Sequence, residues 1–338
     1  MKRVLPVLAG LQLALPFPAL AGVFIFAESQ ANPELITHPI GYSGSGGHLE
    51  ISVCIDPASE SIGDMIVPVQ NVVKVWNALN PVLGNTTLND PQLGTGQVDY
   101  ESVLLHELGH CMGLAHPNLA SESGLSGQDQ RYAKTLVGPN GSYNLNPGSD
   151  GVIGTRNDQR GDDVNLGWFR IGINDPFIFE DVIDGSTYST DLDDLPQGHN
   201  FVEIAGLQVA QHRGLPDDES VMHQGTRLRE TKRKLARDDA TMIRLAMSGI
   251  DRTQGTADDY SYTLTYGGVD DDCDITVVTE GSAFGLCTVT GQFLGGPNSH
   301  IAITSGTITM GSASNYNWFF NPDLLSSDEV FADRFQTP

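Results

Sequence analysis

Residues Leu104 to Pro117 read LLHELGHCMGLAHP, which puts histidines at positions 106, 110 and 116 and a glutamate at 107. An α-helix advances about 100° per residue, so His106 and His110 fall about 40° apart on one face, one turn from each other. Two imidazoles can then reach one ion. Glu107 is offset by about 100° from His106, where it can address a water beside the pair without being a ligand. Gly113 can take a positive φ that other residues resist, turning the chain sharply out of the helix and bringing His116 back to the same point. Three neutral nitrogens and one open position make the donor set of a tetrahedral catalytic zinc site. The competing reading, a polar solvated helix, leaves the apolar partners Leu104, Leu105, Leu108, Met112 and Leu114 unexplained. Cys111 points roughly 120° away from the ligand face, which suits the core or a disulfide better than the metal.

Working outward, Asp99 can cap the start of this helix, with Glu101 in its electropositive first turn. Upstream, HLEISVCIDP (His48 to Pro57) alternates like a strand, and MIVPVQNVVKVWNALNP reads as a helix stopped by Pro81. Early strand and helix therefore alternate as in an α/β layer. Downstream, Asn118 to Ser220 is a long interval rich in Gly, Asn, Asp and Pro; within it, NFVEIAGLQVAQHRG looks helical, capped by Asn200 and ended by Gly214. DDATMIRLAMSG, Asp238 to Gly249, is another helix. Beyond it YSYTLTY, CDITVVTE, LCTVTGQF, HIAITSGTITM and NYNWFF follow a period of two. Several short strands at regular spacing predict a β-sandwich of about eighty residues. The expected fold class is thus α+β/α/β: a catalytic domain over 22–250, with a twisted mixed sheet, the histidine helix and an insertion at about 118–220, then an all-β sandwich-like accessory region over 251–338.

The first 21 residues combine Lys2 and Arg3, an apolar run too short to span a membrane, and Ala19-Leu20-Ala21, the pattern of a secretory signal cut after Ala21. No later stretch approaches the length of a spanning helix, so a secreted, extracellular or periplasmic protein without membrane insertion is expected. Losing Lys2 and Arg3 leaves 16 basic against 42 acidic residues and moves the formal charge from -24 to -26. Such a surface repels nucleic acid and anionic lipid. Four cysteines in an exported chain suggest disulfides. Cys273 and Cys287 lie close in sequence and make the natural pair, leaving Cys54 with Cys111; a bridge closing so short a loop contributes roughly 3 kcal/mol in the chain-entropy model. GSDGVIGTRND (Gly148 to Asp158) and GIDRTQGTADD (Gly249 to Asp259) repeat one glycine and aspartate pattern. Such loops, with Asp162 and Asp163 beside the first, suit Ca2+ as an oxygen-ligated ion, with acidic turns in capping roles as the alternative.

The run His106-Glu107-Leu108-Gly109-His110-Cys111-Met112-Gly113-Leu114-Ala115-His116 resembles the signature of the metzincin zinc metallopeptidases, and its surroundings are similar to matrixin-like bacterial members. The resemblance covers about 50–116 and 219–250. It implies a tight turn with a methionine beneath the metal, supplied by Met222 in ESVMHQG, and LARDDATMIRLAMSG looks like the closing helix of matrixins. Three departures stand out. The interval from His116 to Met222 is 106 residues, Gln224 stands where some relatives carry a tyrosine, and no cysteine switch precedes the first strand.

The expectation is a secreted zinc endopeptidase: Zn2+ held by His106, His110 and His116, Glu107 as general base, and an extended peptide or protein substrate laid along an edge strand. In the family, the segment after the methionine lines the principal pocket. Here it holds Arg227, Arg229, Lys232, Arg233, Lys234 and Arg237, which would favour an acidic side chain after the cleaved bond unless the cations are paired with the acidic remainder of the protein. The alternative class is a catalytically silent binding or adhesion protein with a structural zinc. Retention of Glu107 argues against it, because a purely structural site has no use for a base. A zinc hydrolase acting on something other than peptide is a third.

Overall fold

A computed structural model describes residues 24–26, 35–116 and 216–318, except 224, 283, 296–299 and 313, together with Leu207 and three short strands between 168 and 202. In chain order the strands are β1 (Ile36–His38), β2 (Gly47–Ile55), β3 (Thr86–Thr87), β4 (Val98–Asp99), β5 (Trp168–Arg170), β6 (Tyr188–Ser189), β7 (Phe201–Val202), β8 (Thr231–Lys232), β9 (Tyr260–Val269), β10 (Ile275–Thr279), β11 (Gly285–Phe293), β12 (His300–Met310) and β13 (Tyr316–Asn317). The helices are α1 (Ile62–Ala78), α2 (Tyr100–Cys111) and α3 (Arg237–Met247).

β9, β2, β10 and β12 lie side by side and parallel. β1 runs parallel beside the first residues of β12, and β11 pairs antiparallel along the other side of β12. The protein is therefore a mixed α/β chain with a mostly parallel sheet. Ile51, Val53, Cys54 and Ile55 of β2 are all buried, as expected for a strand inside such a sheet with both faces covered. Trp76 of α1 donates Nε1–H to the Leu105 carbonyl at 3.0 Å, and Asn71 donates to Glu101 at 2.9 Å, so α1 fixes α2 along its length.

This topology corrects the expected sandwich. The strands after Asp251 do not form a second pair of sheets; they supply β9, β10, β11 and β12 to the same sheet as β1 and β2. Their alternation is real, but one face of the new strands packs on the helices that precede them rather than on one another. The segment expected to be a helix capped by Asn200 opens as strand β7, which pairs with β5, while Leu207 within it is helical; the rest of it lies outside the described residues.

The disulfides also differ from expectation. Cys54 joins Cys273 and Cys111 joins Cys287, each with Cα atoms 5.8 Å apart. Cys273 and Cys287 are near in sequence, but β10 and β12 separate them in the sheet. Cys273 lies beside β2, where a Cβ on Gly267 would meet both Cys54 and Cys273 sulfurs, whereas Cys287 lies on the far edge strand above α2. No helix among the described residues is long and apolar enough to cross a membrane.

Candidate metal centre

α2 starts where expected. The Asp99 carboxylate accepts from Ser102 N at 2.9 Å and Ser102 Oγ at 2.5 Å, and pairs with Arg233. At the other end Gly113 takes φ +108°, and a β-carbon there would lie 2.8 Å from the Thr37 carbonyl oxygen. Position 113 therefore excludes any side chain on grounds of both space and backbone conformation. Leu114 N donates to the Gly109 carbonyl at 3.0 Å, closing the turn that carries His116 back over the helix.

The three imidazoles converge. Each Nε2 of His106, His110 and His116 is 3.0 Å from the other two. The far nitrogens identify the tautomers: His106 Nδ1 lies 2.6 Å from the Val221 carbonyl and His110 Nδ1 lies 2.8 Å from the Leu114 carbonyl. A carbonyl only accepts, so both Nδ1 atoms carry the proton and both Nε2 atoms present bare lone pairs. Lone pairs facing one another at this distance repel unless a cation sits among them, and carbonyl-bound imidazoles are the usual outer support of a metal-ligating histidine. Burial, followed by the charges of the neighbouring imidazoles, holds His106 well below its ordinary pKa; burial also lowers His110 and takes His116 to about 3. Neutral rings are what metal ligation requires. The trio can hold a metal ion, and it is the only such group of three among the described residues.

Met222 lies beneath this cluster. It is buried, and its sulfur occupies the space where a β-carbon on Gly109 would stand. The Val221–Met222 turn is pinned by a residue that sequence reading missed. The Asp239 carboxylate accepts from Ser220 Oγ at 2.6 Å, Val221 N at 2.9 Å, Met222 N at 3.2 Å and Ala236 N at 2.8 Å. Asp239 thus caps α3 and fixes the carbonyl that orients His106. Its only sequence signal was as one of two acids opening a helix.

Glu107 sits beside the trio, buried, with Oε2 accepting from the Cys287 backbone N–H at 2.8 Å. Burial pushes its carboxyl up to about 7 against the opposing effect of that amide. The trio and Glu107 share one cavity of about 380 Å³ whose walls include Ile25, Val103, Val221, Lys232, Phe284 and Leu286. Ile25 belongs to a short segment in which Phe24 bridges to Leu114 and Ile25 N donates to the Gly113 carbonyl at 2.9 Å. Another part of the rim is β11, which among the described residues pairs with β12 alone.

Of the six cations after Met222, Lys232 alone is among the cavity walls, and it is neutralised by Glu219 at 2.9 Å and Glu230 at 3.4 Å. Arg227 pairs with the same two carboxylates, Arg233 with Asp99, and Arg229 donates to the Leu93, Asn89 and Asp90 carbonyls. Burial alone would raise Glu219, but Lys232, His223 and Arg227 override it and hold this carboxyl far below its usual range. Arg227, Lys232 and Arg233 are internally paired and no other cation of the run lines the cavity, so the run gives no support to an acidic preference. In the second aspartate loop, Asp258 accepts from Ile250 N, Asp259 from Gly255 N, and Asp251 from Thr253 N. These are turn caps; the first loop lies outside the described residues.

No protein-family profile, no curated protein and no solved structure matches this chain.

Proposed function

We propose that the chain is a secreted zinc-dependent endopeptidase of metzincin type that hydrolyses peptide bonds with Glu107 as general base. The observation that carries this reading is the convergence of three imidazole Nε2 atoms 3.0 Å apart in one cavity with a buried carboxyl group, Glu107, beside them. A bound zinc would lower the pKa of a water to near 7 and polarise the scissile carbonyl. Glu107 takes the proton of the attacking water and delivers it to the leaving amine. The Cys287 amide keeps the carboxylate aimed while its second oxygen stays free. A substrate in extended conformation can add to the edge of β11 that is unpaired among the described residues, where main-chain hydrogen bonds supply affinity and the apolar walls near Val103, Val221, Phe284 and Leu286 receive a side chain. Two disulfides agree with an oxidising compartment.

The test is metal analysis of purified protein with casein or gelatin hydrolysis, with and without chelator, and the variant Glu107→Ala. One zinc per chain, activity lost to chelator, and a fall in kcat of about 10²–10⁴ in a metal-loaded Glu107→Ala protein are expected. Absence of stoichiometric transition metal, or equal turnover by the variant, would reject the reading.

A further inference from the structure

Cys111 follows His110 directly in α2, and Cys287 lies in β11 with its own amide on Glu107; their bridge spans 176 residues of chain. Among the described residues β11 is an edge strand. The β12 ladder holds one side of it and its other side faces the cavity, and the ladder itself shifts register between Thr290 and Gly291. Beyond the packing of Val103 against β11 at Gly285, two adjacent links hold β11 to α2 at Glu107, the Cys111–Cys287 bond and the Cys287 N–H to Glu107 hydrogen bond. The other bridge, Cys54–Cys273, ties β2 to the segment ahead of β10 and takes no part in the cavity walls.

Resting on the peptidase reading, we propose that the Cys111–Cys287 cystine is a positioning element for Glu107, so that the site becomes competent only when this bridge has formed. In a reducing compartment both residues are thiols, β11 keeps its ladder and its packing on α2 but loses the covalent tie beside Glu107, and the amide that aims Glu107 gains room to drift from it. Oxidation follows ordinary exchange with a disulfide oxidant, either a dithiol oxidoreductase or oxidised glutathione. One cysteine thiolate attacks a sulfur of the oxidant, giving a mixed disulfide and releasing a thiolate. The second cysteine, as thiolate, then displaces the remaining oxidant sulfur. The pair loses two electrons and two protons, and the oxidant is reduced to two thiols. Reduction runs the same steps backwards, with Cys287 among the cavity walls as the point of attack. Such a device keeps a newly made peptidase silent before export without any thiolate placed on the metal.

The test equilibrates the intact, zinc-loaded protein in glutathione buffers of graded potential and traps free thiols, with peptide mapping to show which bridge is open. Opening Cys111–Cys287 is expected to lower kcat on the order of a hundredfold, as for a misplacement of about 1 Å, with KM changing less than about threefold. Zinc content and cooperative unfolding should persist, exchange of the Cys287 amide hydrogen should accelerate at least about tenfold, and re-oxidation should restore kcat. The double variant Cys111→Ala/Cys287→Ala should reproduce the reduced state in any buffer. A kcat within about twofold of the oxidised protein, unchanged exchange at Cys287, or a loss that tracks zinc release or unfolding would overturn the proposal. A double variant that cannot fold would do the same, by showing the bridge to be structural. If the oxidised, zinc-loaded protein cleaves nothing, the peptidase reading fails, and the exchange measurement still decides whether the bridge aims Glu107.

Discussion

Gly285 lies directly against the Glu107 carboxyl. A β-carbon at this position would stand 2.6 Å from Glu107 Oε1 and 2.7 Å from Val103 Cγ1, where ordinary contact needs roughly 3.5–4.0 Å. The substitution Gly285→Ala must therefore move something by about 1 Å. The backbone of β11 is tied to β12 and, through Cys287, to α2, and Val103 is packed within α2. The Glu107 carboxylate gives most readily, leaving the Cys287 amide and its place beside the histidines. A displacement of that size costs on the order of a hundredfold in kcat. Overpacking of this kind destabilises by about 1–3 kcal/mol, which lowers Tm by about 2–4 °C for each kcal/mol in a domain of this size. The assay is kcat on a quenched peptide with zinc content and a thermal melt on the same sample. Gly63→Ala, whose β-carbon would meet nothing within 4 Å, serves as the control and should leave kcat unchanged. A Gly285→Ala protein with wild-type kcat and full zinc would refute the claim that the β11 backbone sets the position of Glu107.

Asp239→Asn puts an amide donor among four donors and should cost about 2–4 kcal/mol in chemical denaturation; by loosening the Val221 carbonyl it should also weaken metal affinity about 10–100-fold in chelator competition. The buried pair His38 and His300, 2.8 Å apart and ringed by Tyr42, Tyr260, Arg252 and Asp258, should make stability sensitive to acid. Burial, then the charge of each pair's neighbour, lowers His38, and burial takes His300 down to about 4. The unfolded chain therefore binds more protons, so the stability these rings contribute is complete above about pH 6.5 and is lost as pH falls from there toward 4. Melts of wild type and His300→Asn across that window should converge at the acid end, and parallel curves would contradict it. Removing the second bridge with Cys54→Ala/Cys273→Ala should cost up to about 5 kcal/mol in the chain-entropy model while leaving kcat per folded molecule unaltered; a drop in kcat would show that this bridge also reaches the site.

The boundaries of α2 were legible because Asp99 and Gly113 are local signals, each acting on its own neighbours through one hydrogen bond or one backbone angle. The three converging histidines were legible for the same reason: helical spacing and one turn bring them together without help from distant chain. β9, β10, β11 and β12 were also visible as strands. What alternation does not encode is the partner, since a period of two records which face is buried and is silent about what buries it. A sandwich and a shared sheet therefore look alike from Tyr260 onward. The cysteine pairing failed with it, because sequence proximity stood in for a sheet order that was unknown. For the cations after Met222, pairing with acidic groups was the stated alternative, but the partners, Glu219 and Glu230 for Arg227 and Lys232 and Asp99 for Arg233, could not be read from spacing. Asp239 escaped because its role depends on a turn 17 residues earlier.

Translation adds a temporal order to this architecture. Helix α2 leaves the ribosome long before β12, the strand on which β1, β10 and β11 are all assembled. Parallel partners so far apart in sequence close late and slowly, so a nascent or truncated chain owns the histidines without the wall that confines them, and the cavity is completed only by the last strands.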